Sequence, residues 1–293
     1  MQSEKTLTLV DPKNGNLAFK IFSFDDNSHF DHVQRNNYYS ILLVLSGTGK
    51  IKADFSAYDF QGPALLCFAP YQPFIIGNSD DLTGIALNFH PDFFCIHQHN
   101  KEVACNGVLF NNIYQPPLIS LTQKDVDSFC GIIEQLRDGM QNNEMAQYEL
   151  LVSYLKIFLI TASRLRVSQN PVAKIAIAGL KEPFVLQSLK DAIEENFKTK
   201  HSPAEYADML NISAKALAKI TRSHFNKTLT NMIAERIVIE AKRELYLTSK
   251  PVKSIAYELG FNDEFYFSRF FKNNADISPQ LYRETVGFAR AEA

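Results

Sequence analysis

Lys215, Lys219 and Arg222 recur at intervals of four and three residues, a spacing that stacks them on one face of a helix. Ala214 and Ala218 share that face. A second stretch carries Asp263, Glu264, Phe265, Ser268, Arg269 and Lys272 around an apolar set of Phe267, Phe270 and Phe271. Cations on a helix face are either simply solvated or available to phosphates and base edges, and their spacing alone leaves both readings open. A different chemistry is offered by His90, Cys95, His97, His99 and Cys105. On a strand, His97 and His99 would point to the same side and suit zinc. The reading adopted is a His-rich surface loop following a strand, with no metal expected. His29 and His32 lack a clear third ligand. No Gly-rich phosphate loop, nucleophile elbow or pair of catalytic carboxylates is visible.

The basic stretches need helices to position them. Ser202-Pro203-Ala204-Glu205 reads as a capping box with Pro at the first helical position. It predicts a helix over 204–210. Asn211 stands where a left-handed turn is needed, and Ser213 caps a second helix over 214–223. The same plan recurs about 50 residues later: a helix over 252–259, Gly260 at the turn, and Asn262 or Asp263 capping a helix through Lys272. Tyr206, Leu210, Leu217 and Ile220 would correspond to Ile255, Leu259, Phe267 and Phe270. Between the two, Ile233, Ile237, Ala241 and Leu245 mark a connecting helix over 230–247. Phe184 to Phe197 reads as the first helix of this region.

The preceding chain has a different texture. Over residues 6–116, short β-rich runs are punctuated by Gly and Pro, as in a sandwich or barrel. Leu42–Leu45 is expected to enter a turn at Ser46-Gly47-Thr48-Gly49, and Phe74–Ile76 and Ile85–Phe89 read as separate strands. Helical spacing then begins: Val126, Phe129, Ile132, Ile133 and Leu136, followed by Leu150, Leu151, Tyr154, Leu155, Phe158 and Leu159. The second of these helices is apolar on more than one face, so a dimer seam is expected there as well as a cap on the barrel.

Composition sets the limits. The chain has 293 residues, 46% hydrophobic and 21% charged, with a formal net charge of −2. Residues 1–180 hold 13 Lys and Arg against 17 Asp and Glu, and the remainder 17 against 15. That tilt is too weak to imply nucleic acid by itself. Four cysteines are too few and too scattered for a disulfide framework, and neither a membrane span nor a secretory signal is apparent. A cytoplasmic protein, with no membrane partner, is expected.

The residues Ser254-Ile255-Ala256-Tyr257-Glu258-Leu259-Gly260-Phe261, then Tyr266 to Lys272 and Ser278-Pro279-Gln280-Leu281-Tyr282-Arg283, closely resemble the signature of the AraC/XylS family of bacterial transcription regulators. The resemblance covers roughly the last hundred residues. It implies an α+β two-domain protein: an N-terminal cupin-like β-barrel with two following helices, and a C-terminal all-α domain of seven helices with two helix-turn-helix units. The expected boundaries are 1–120 for the barrel, 121–167 for a helical dimerisation segment, 168–183 for a linker and 184–286 for the DNA-binding domain. Asn211, Asn226 and Asp276 stand where the family usually has Gly; Asn and Asp best tolerate positive φ.

In that context Ala214, Lys215, Ala218, Lys219 and Arg222 form one DNA-facing surface, and Asp263, Glu264, Phe265, Ser268, Arg269 and Lys272 the other. Lys215, Lys219 and Arg269 are expected to contact DNA, and Arg222 and Lys272 to hold phosphates. Glu264 either accepts from cytosine N4 or steadies its helix N-terminus. Tyr282 and Arg283 are assigned to structure. The implied partners are double-stranded DNA, RNA polymerase, a second copy of the chain and a small-molecule effector, with the protein on the nucleoid when bound and acting as an activator or a repressor. Around Tyr38–Gly47 the chain resembles the cupin segment that often carries metal ligands. Here Gln34 and Asn36 occupy the two His positions, Ser40 the Glu position, and Phe74 the later His position. Neither cofactor nor catalysis is expected. The alternatives are a metal-dependent cupin enzyme with an appended DNA-binding module and a ligand-independent DNA-binding adaptor.

Overall fold

The computed structural model describes residues 6–11, 15, 17–97, 99, 103, 107–142, 145–169 and 184–286. These fall into two compact units, one built mainly from the strands and the two helices after them, the other from the helices beyond residue 183 together with the short segments 54–56 and 113–115. The expected linker over 168–183 lies outside the described residues from 170 onward, and so does Cys105.

The first unit contains β1 (Leu7–Val10), β2 (Leu17–Phe24), β3 (Tyr39–Ala53), β4 (Ser56–Gln61), β5 (Ala64–Phe68), β6 (Phe74–Phe89) and β7 (Leu118–Ser120), then α1 (Gln123–Gln141) and α2 (Gln147–Ser168). The sheet runs in the order β1-β2-β6-β3-β5-β7, with β4 paired to β3. Both faces are buried. Ile41, Leu43, Leu65, Leu87 and Phe89 join Phe129, Ile133, Leu136, Leu155 and Phe158 in one apolar cluster against α1 and α2. Their neighbours Leu42, Val44, Leu66, Phe68 and Ala86 point the other way, into a second cluster with Phe22, Phe24, Phe30 and Phe74. This is the period-two alternation of a strand with apolar residues in both phases, and it explains why these strands read as continuous apolar runs.

Two expectations fail here. Ser46–Gly49 is not a turn: β3 continues through it, and Phe74–Ile76 and Ile85–Phe89 are one strand. Register shifts between Val44 and Lys50 bend the β3–β6 pair instead. Glycines that resemble a hairpin signal serve as bulges, which take up extra residues and curl a long strand pair. The chain actually reverses after Ala53, where Asp54 has φ 48°. His97 and His99 lie in turns rather than on a strand; Pro91 has no N–H to continue the ladder.

The helices are anchored to the sheet by named polar contacts. Thr122 and Asp125 form a capping box at the start of α1. Arg137 of α1 donates to Ser23 Oγ at 3.1 Å. Arg166 of α2 is buried and donates to the carbonyls of Leu118 and Pro116. Among the described residues no helix is long and apolar enough to cross a membrane.

The second unit holds, among the described residues, α3 (Phe184–Asn196), α4 (Pro203–Met209), α5 (Ala214–Phe225), α6 (Leu229–Leu247), α7 (Val252–Glu258), α8 (Glu264–Ala275) and α9 (Pro279–Val286). The central element is α6: α3, α5, α7, α8 and α9 all pack on it, while α4 bridges α3 and α5. Met232, Ile233, Ile237, Ala241 and Leu245 supply its buried side.

The bulge in β3 gives a test. Gly47 has φ 96°, and a Cβ there would sit 2.5 Å from the Asp81 carbonyl oxygen. Gly47→Ala is expected to cost ~1–3 kcal/mol of unfolding free energy, read by urea denaturation. An unchanged midpoint would mean that the bulge tolerates a side chain and does not fix the bend.

Candidate nucleic-acid interface

Local chemistry sets the ends of α4, α5, α7 and α8. Ser202 Oγ accepts from Glu205 N–H and the Glu205 carboxylate accepts from Ser202 N–H, so the expected capping box is formed, with Pro203 in the first turn. Those hydrogen bonds hold the Glu205 carboxyl below its ordinary range. Ser213 caps α5 through Ala216 N–H. Asp263 caps α8, accepting from Phe265 N–H at 3.1 Å and Tyr266 N–H at 3.0 Å. Its two oxygens are therefore both engaged at the helix start.

The turns obey backbone sterics. Asn211, Asn226 and Asp276 all have left-handed backbone, with φ 54°, 55° and 60°. Gly260 is left-handed too, and a Cβ there would collide with the Lys198 carbonyl. A side chain stands at Asn211, whereas at the equivalent Gly260 the Lys198 backbone leaves no room for one.

The inner stripes of α5 and α8 match position by position. Leu217 and Phe267, Thr221 and Phe271, Phe225 and Ala275 are all buried. The expected fourth pair, Ile220 and Phe270, is half-buried at the edge instead. Thr221 escapes sequence reasoning because it is polar; its hydroxyl is satisfied by the Ala218 carbonyl at 3.1 Å, within the helix. Phe270 still touches the Phe261 ring, with centroids 5.1 Å apart.

Burying those stripes turns the opposite faces to solvent. Ala214, Lys215, Ala218, Lys219 and Arg222 of α5 are all exposed. On α8, Phe265, Arg269 and Lys272 are exposed, Glu264 and Ser268 half-exposed. Phe265 is 76% exposed and its neighbour Tyr266 57%, the latter with its ring 5.9 Å from that of Phe261; large rings this exposed are an unusual feature of a helix face. Tyr266 is hard to single out from sequence, since an aromatic beside Phe267 reads as core.

Most cations of this unit outside α5 and α8 are engaged, although Lys253 of α7 has only the Tyr257 ring near it, 6.0 Å away, among the described residues. Lys198, Lys200, Lys227, Arg236, Arg243 and Lys250 are paired with carboxylates. Arg283 donates to the carbonyls of Leu245, Thr248 and Lys250, fixing α9 to the end of α6, and Tyr282 packs its ring on Phe271; both fit the structural role expected of them. Lys215, Lys219, Arg222, Arg269 and Lys272, by contrast, make no side-chain hydrogen bond or ion pair among the described residues. The five sit on the outward faces of α5 and α8.

In the first unit, two of the described histidines are engaged in local contacts. His90 is buried, with Nδ1 accepting from Asp92 N–H at 3.2 Å, and His99 stacks on Phe94 with centroids 4.9 Å apart. Gln34, Asn36, Ser40 and Phe74 do come together around one small cavity, but amides, a hydroxyl and a phenyl ring are poor donors for a divalent metal.

A family model described as a helix-turn-helix domain matches residues 206–285. The raffinose operon transcriptional regulatory protein RafR of Pediococcus pentosaceus is 25% identical over 140 residues, 48% of this chain and 46% of its own length. The HTH-type transcriptional activator RhaS of Mannheimia succiniciproducens is 32% identical over 91 residues, 31% of this chain and 34% of its own. The chain thus spans about half or less of the length of these curated relatives. Among solved structures, that of an apo ToxT variant from Vibrio cholerae is 16% identical, covers 93% of this chain and 99% of its own, and superposes with a TM-score of 0.41.

The placement of α5 has a buried polar anchor. Lys227, just after the helix, donates to Glu235 of α6 at 2.6 Å, and both side chains are buried. Burial lifts the Glu235 carboxyl to about 7, against the pull of the Lys227 ammonium. Lys227→Met is expected to cost ~3–5 kcal/mol, and the double change with Glu235→Leu to recover most of it. In the single variant the carboxyl is raised further. Its stabilising effect is therefore present below about 4.5 and lost as pH rises through 7. Thermal denaturation across that range reads both effects; a flat pH profile with a small loss would show that the pair does not anchor α5.

Proposed function

We propose that the chain, whose residues 206–285 match a helix-turn-helix family model, is a sequence-specific transcription regulator of the AraC/XylS type that docks α5 and α8 in DNA. The observation that carries this reading is where unpaired cations gather: five lie on these two faces, whereas Lys198, Lys200, Lys227, Arg236, Arg243 and Lys250 elsewhere in the unit are held by carboxylates. Phosphates are the natural partners for such unspent charge.

On this reading α4–α5 and α7–α8 are two helix-turn-helix units joined by α6. They enter successive major-groove segments, about one helical turn or ~34 Å apart. Lys215, Lys219 and Arg269 read base edges, Arg222 and Lys272 hold phosphates, and Ala214, Ala218 and Ser268 let the backbone approach closely. Phe265 offers its ring to a thymine methyl. Asp263 acts by holding the helix start, and Glu264 lies beside it within reach of a cytosine amino group. The first unit is a cupin-like barrel that senses a small molecule. The protein works in the cytoplasm, on the nucleoid, in contact with RNA polymerase.

A homodimer fits the outer side of α2, where Leu150, Ile157 and Val167 are 45%, 48% and 57% exposed. Leu150 and Ile157 lie seven residues apart, on one stripe. Leu150→Glu with Ile157→Glu is expected to convert a dimer to a folded monomer, seen by analytical ultracentrifugation. A wild-type monomer would remove this seam.

The DNA reading is tested by two arginines. Arg269→Ala is expected to cost ~1–3 kcal/mol at a cognate site and to relax preference at one or two base pairs. Arg222→Ala is expected to weaken all sequences alike and to reduce the salt slope by about one. Binding to operator and scrambled DNA over a salt series separates them. Equal losses on both DNAs for Arg269→Ala would make it a phosphate contact.

A further inference from the structure

Inside the first unit the inward-facing side chains form successive cross-strand rungs. Phe24, Gly84, Val44 and Ala64 lie opposite one another across β2, β6, β3 and β5, and Phe22, Ala86, Leu42 and Leu66 make the next rung. Both rungs are filled with apolar groups. The third is different: Lys20, Asn88, Ser40 and Phe68. Residues directly opposite in antiparallel strands share a face, so the packed interior becomes polar at one level, on the side where Gln34 and Asn36 lie.

A cavity of about 120 Å³ opens at that level, with Lys20, Gln34, Asn36, Tyr38, Ser40 and Asn88 in its wall. Asn88 is only 5% exposed, and its Oδ1 is buried without a hydrogen-bond partner. Buried acceptors are almost always met, and an unmet one calls for an occupant. The occupant must bring an O–H or N–H. Lys20 runs along the wall with Nζ 4.6 Å from the Phe22 centroid, and no carboxylate is among the lining residues. A cationic occupant would therefore be a buried charge without a counterion, whereas an anionic one would meet Lys20. The space is that of a small organic molecule rather than a single water.

We infer that this cavity binds a small hydroxylated carboxylate, its hydroxyl donating to Asn88 Oδ1 and its carboxylate held by the Lys20 ammonium. The inference rests on the reading of the first unit as a sensor and supplies the class of its effector. Gln34, Asn36, Ser40 and Phe74 stand where a related barrel would hold a metal, and here they wall an organic site.

The test is calorimetric titration of the full chain with glycolate, both lactate enantiomers and D-glycerate, against propionate, which lacks the hydroxyl, and glycerol, which lacks the charge. At least one hydroxy acid is expected to bind, with propionate and glycerol weaker by about tenfold or more. Asn88→Leu and Lys20→Met should each lose that binding by a similar factor. The ligand-free Asn88→Leu chain should melt at or above the wild-type temperature, because the unmet acceptor is gone. The inference is overturned if no hydroxy acid binds or if propionate binds equally; the remaining case is an Asn88→Leu chain that fails to fold. Lys20→Met keeps the question open to measurement in that last case, since binding that survives it sinks the site independently. Operator affinity is measured in parallel. Acid binding that leaves it unchanged would remove the sensor reading and keep the cavity; intact operator binding without acid binding would do the reverse.

Discussion

Each of the two outward helices has one stripe of side chains that must leave water, and both helices pack on α6. On α5 the stripe is Leu217, Thr221 and Phe225; on α8 it is Phe267, Phe271 and Ala275. Burial of these stripes fixes the rotation of both helices about their axes. The exposure of Lys215, Lys219, Arg222, Arg269 and Lys272 then follows, as these residues occupy what is left of each circumference. Caps at Ser213 and Asp263 fix where each helix starts, and left-handed residues at Asn211 and Gly260 fix the direction of entry. The Lys227–Glu235 pair and the Arg283 contacts add directional constraints that apolar burial cannot supply.

The first unit meets a related constraint with a different solution. Its central strands are apolar in both phases, so each face of the sheet needs a cover. One face receives α1 and α2, and the other is closed by the curl of the sheet and by Phe30 and Phe74. The polar rung of Lys20, Asn88 and Ser40 departs from that pattern. A polar group placed where apolar packing would be more stable is the kind of local inconsistency that marks a functional position.

Much of the helical unit was legible in the sequence because its signals are local. Ser202 with Glu205, Ser213, Gly260 and Asp263 act within a few residues of themselves, and the structure places caps and turns at each. Thr221 was not legible, since a hydroxyl satisfied inside its own helix looks the same in sequence as a solvated one. The bulged course of β3 was hidden for the opposite reason: Gly47 and Gly49 have the composition of a turn, and what makes them a bulge is the pairing partner in β6, some thirty residues away. The exposed faces were anticipated by elimination once the apolar stripe was assigned. The row of Lys20, Asn88 and Ser40 draws on three strands far apart in sequence, so no spacing rule could have assembled it.

The central claim is that two helices of one chain occupy successive turns of the same DNA face. It is tested most directly by tethering a DNA-cleaving reagent at Ala218→Cys or Ser268→Cys and mapping strand breaks on operator DNA against the unsubstituted protein. The account predicts two cleavage centres about one helical turn, 10–10.5 base pairs, apart, one for each attachment point. Cleavage from only one position, or centres that coincide, would contradict it.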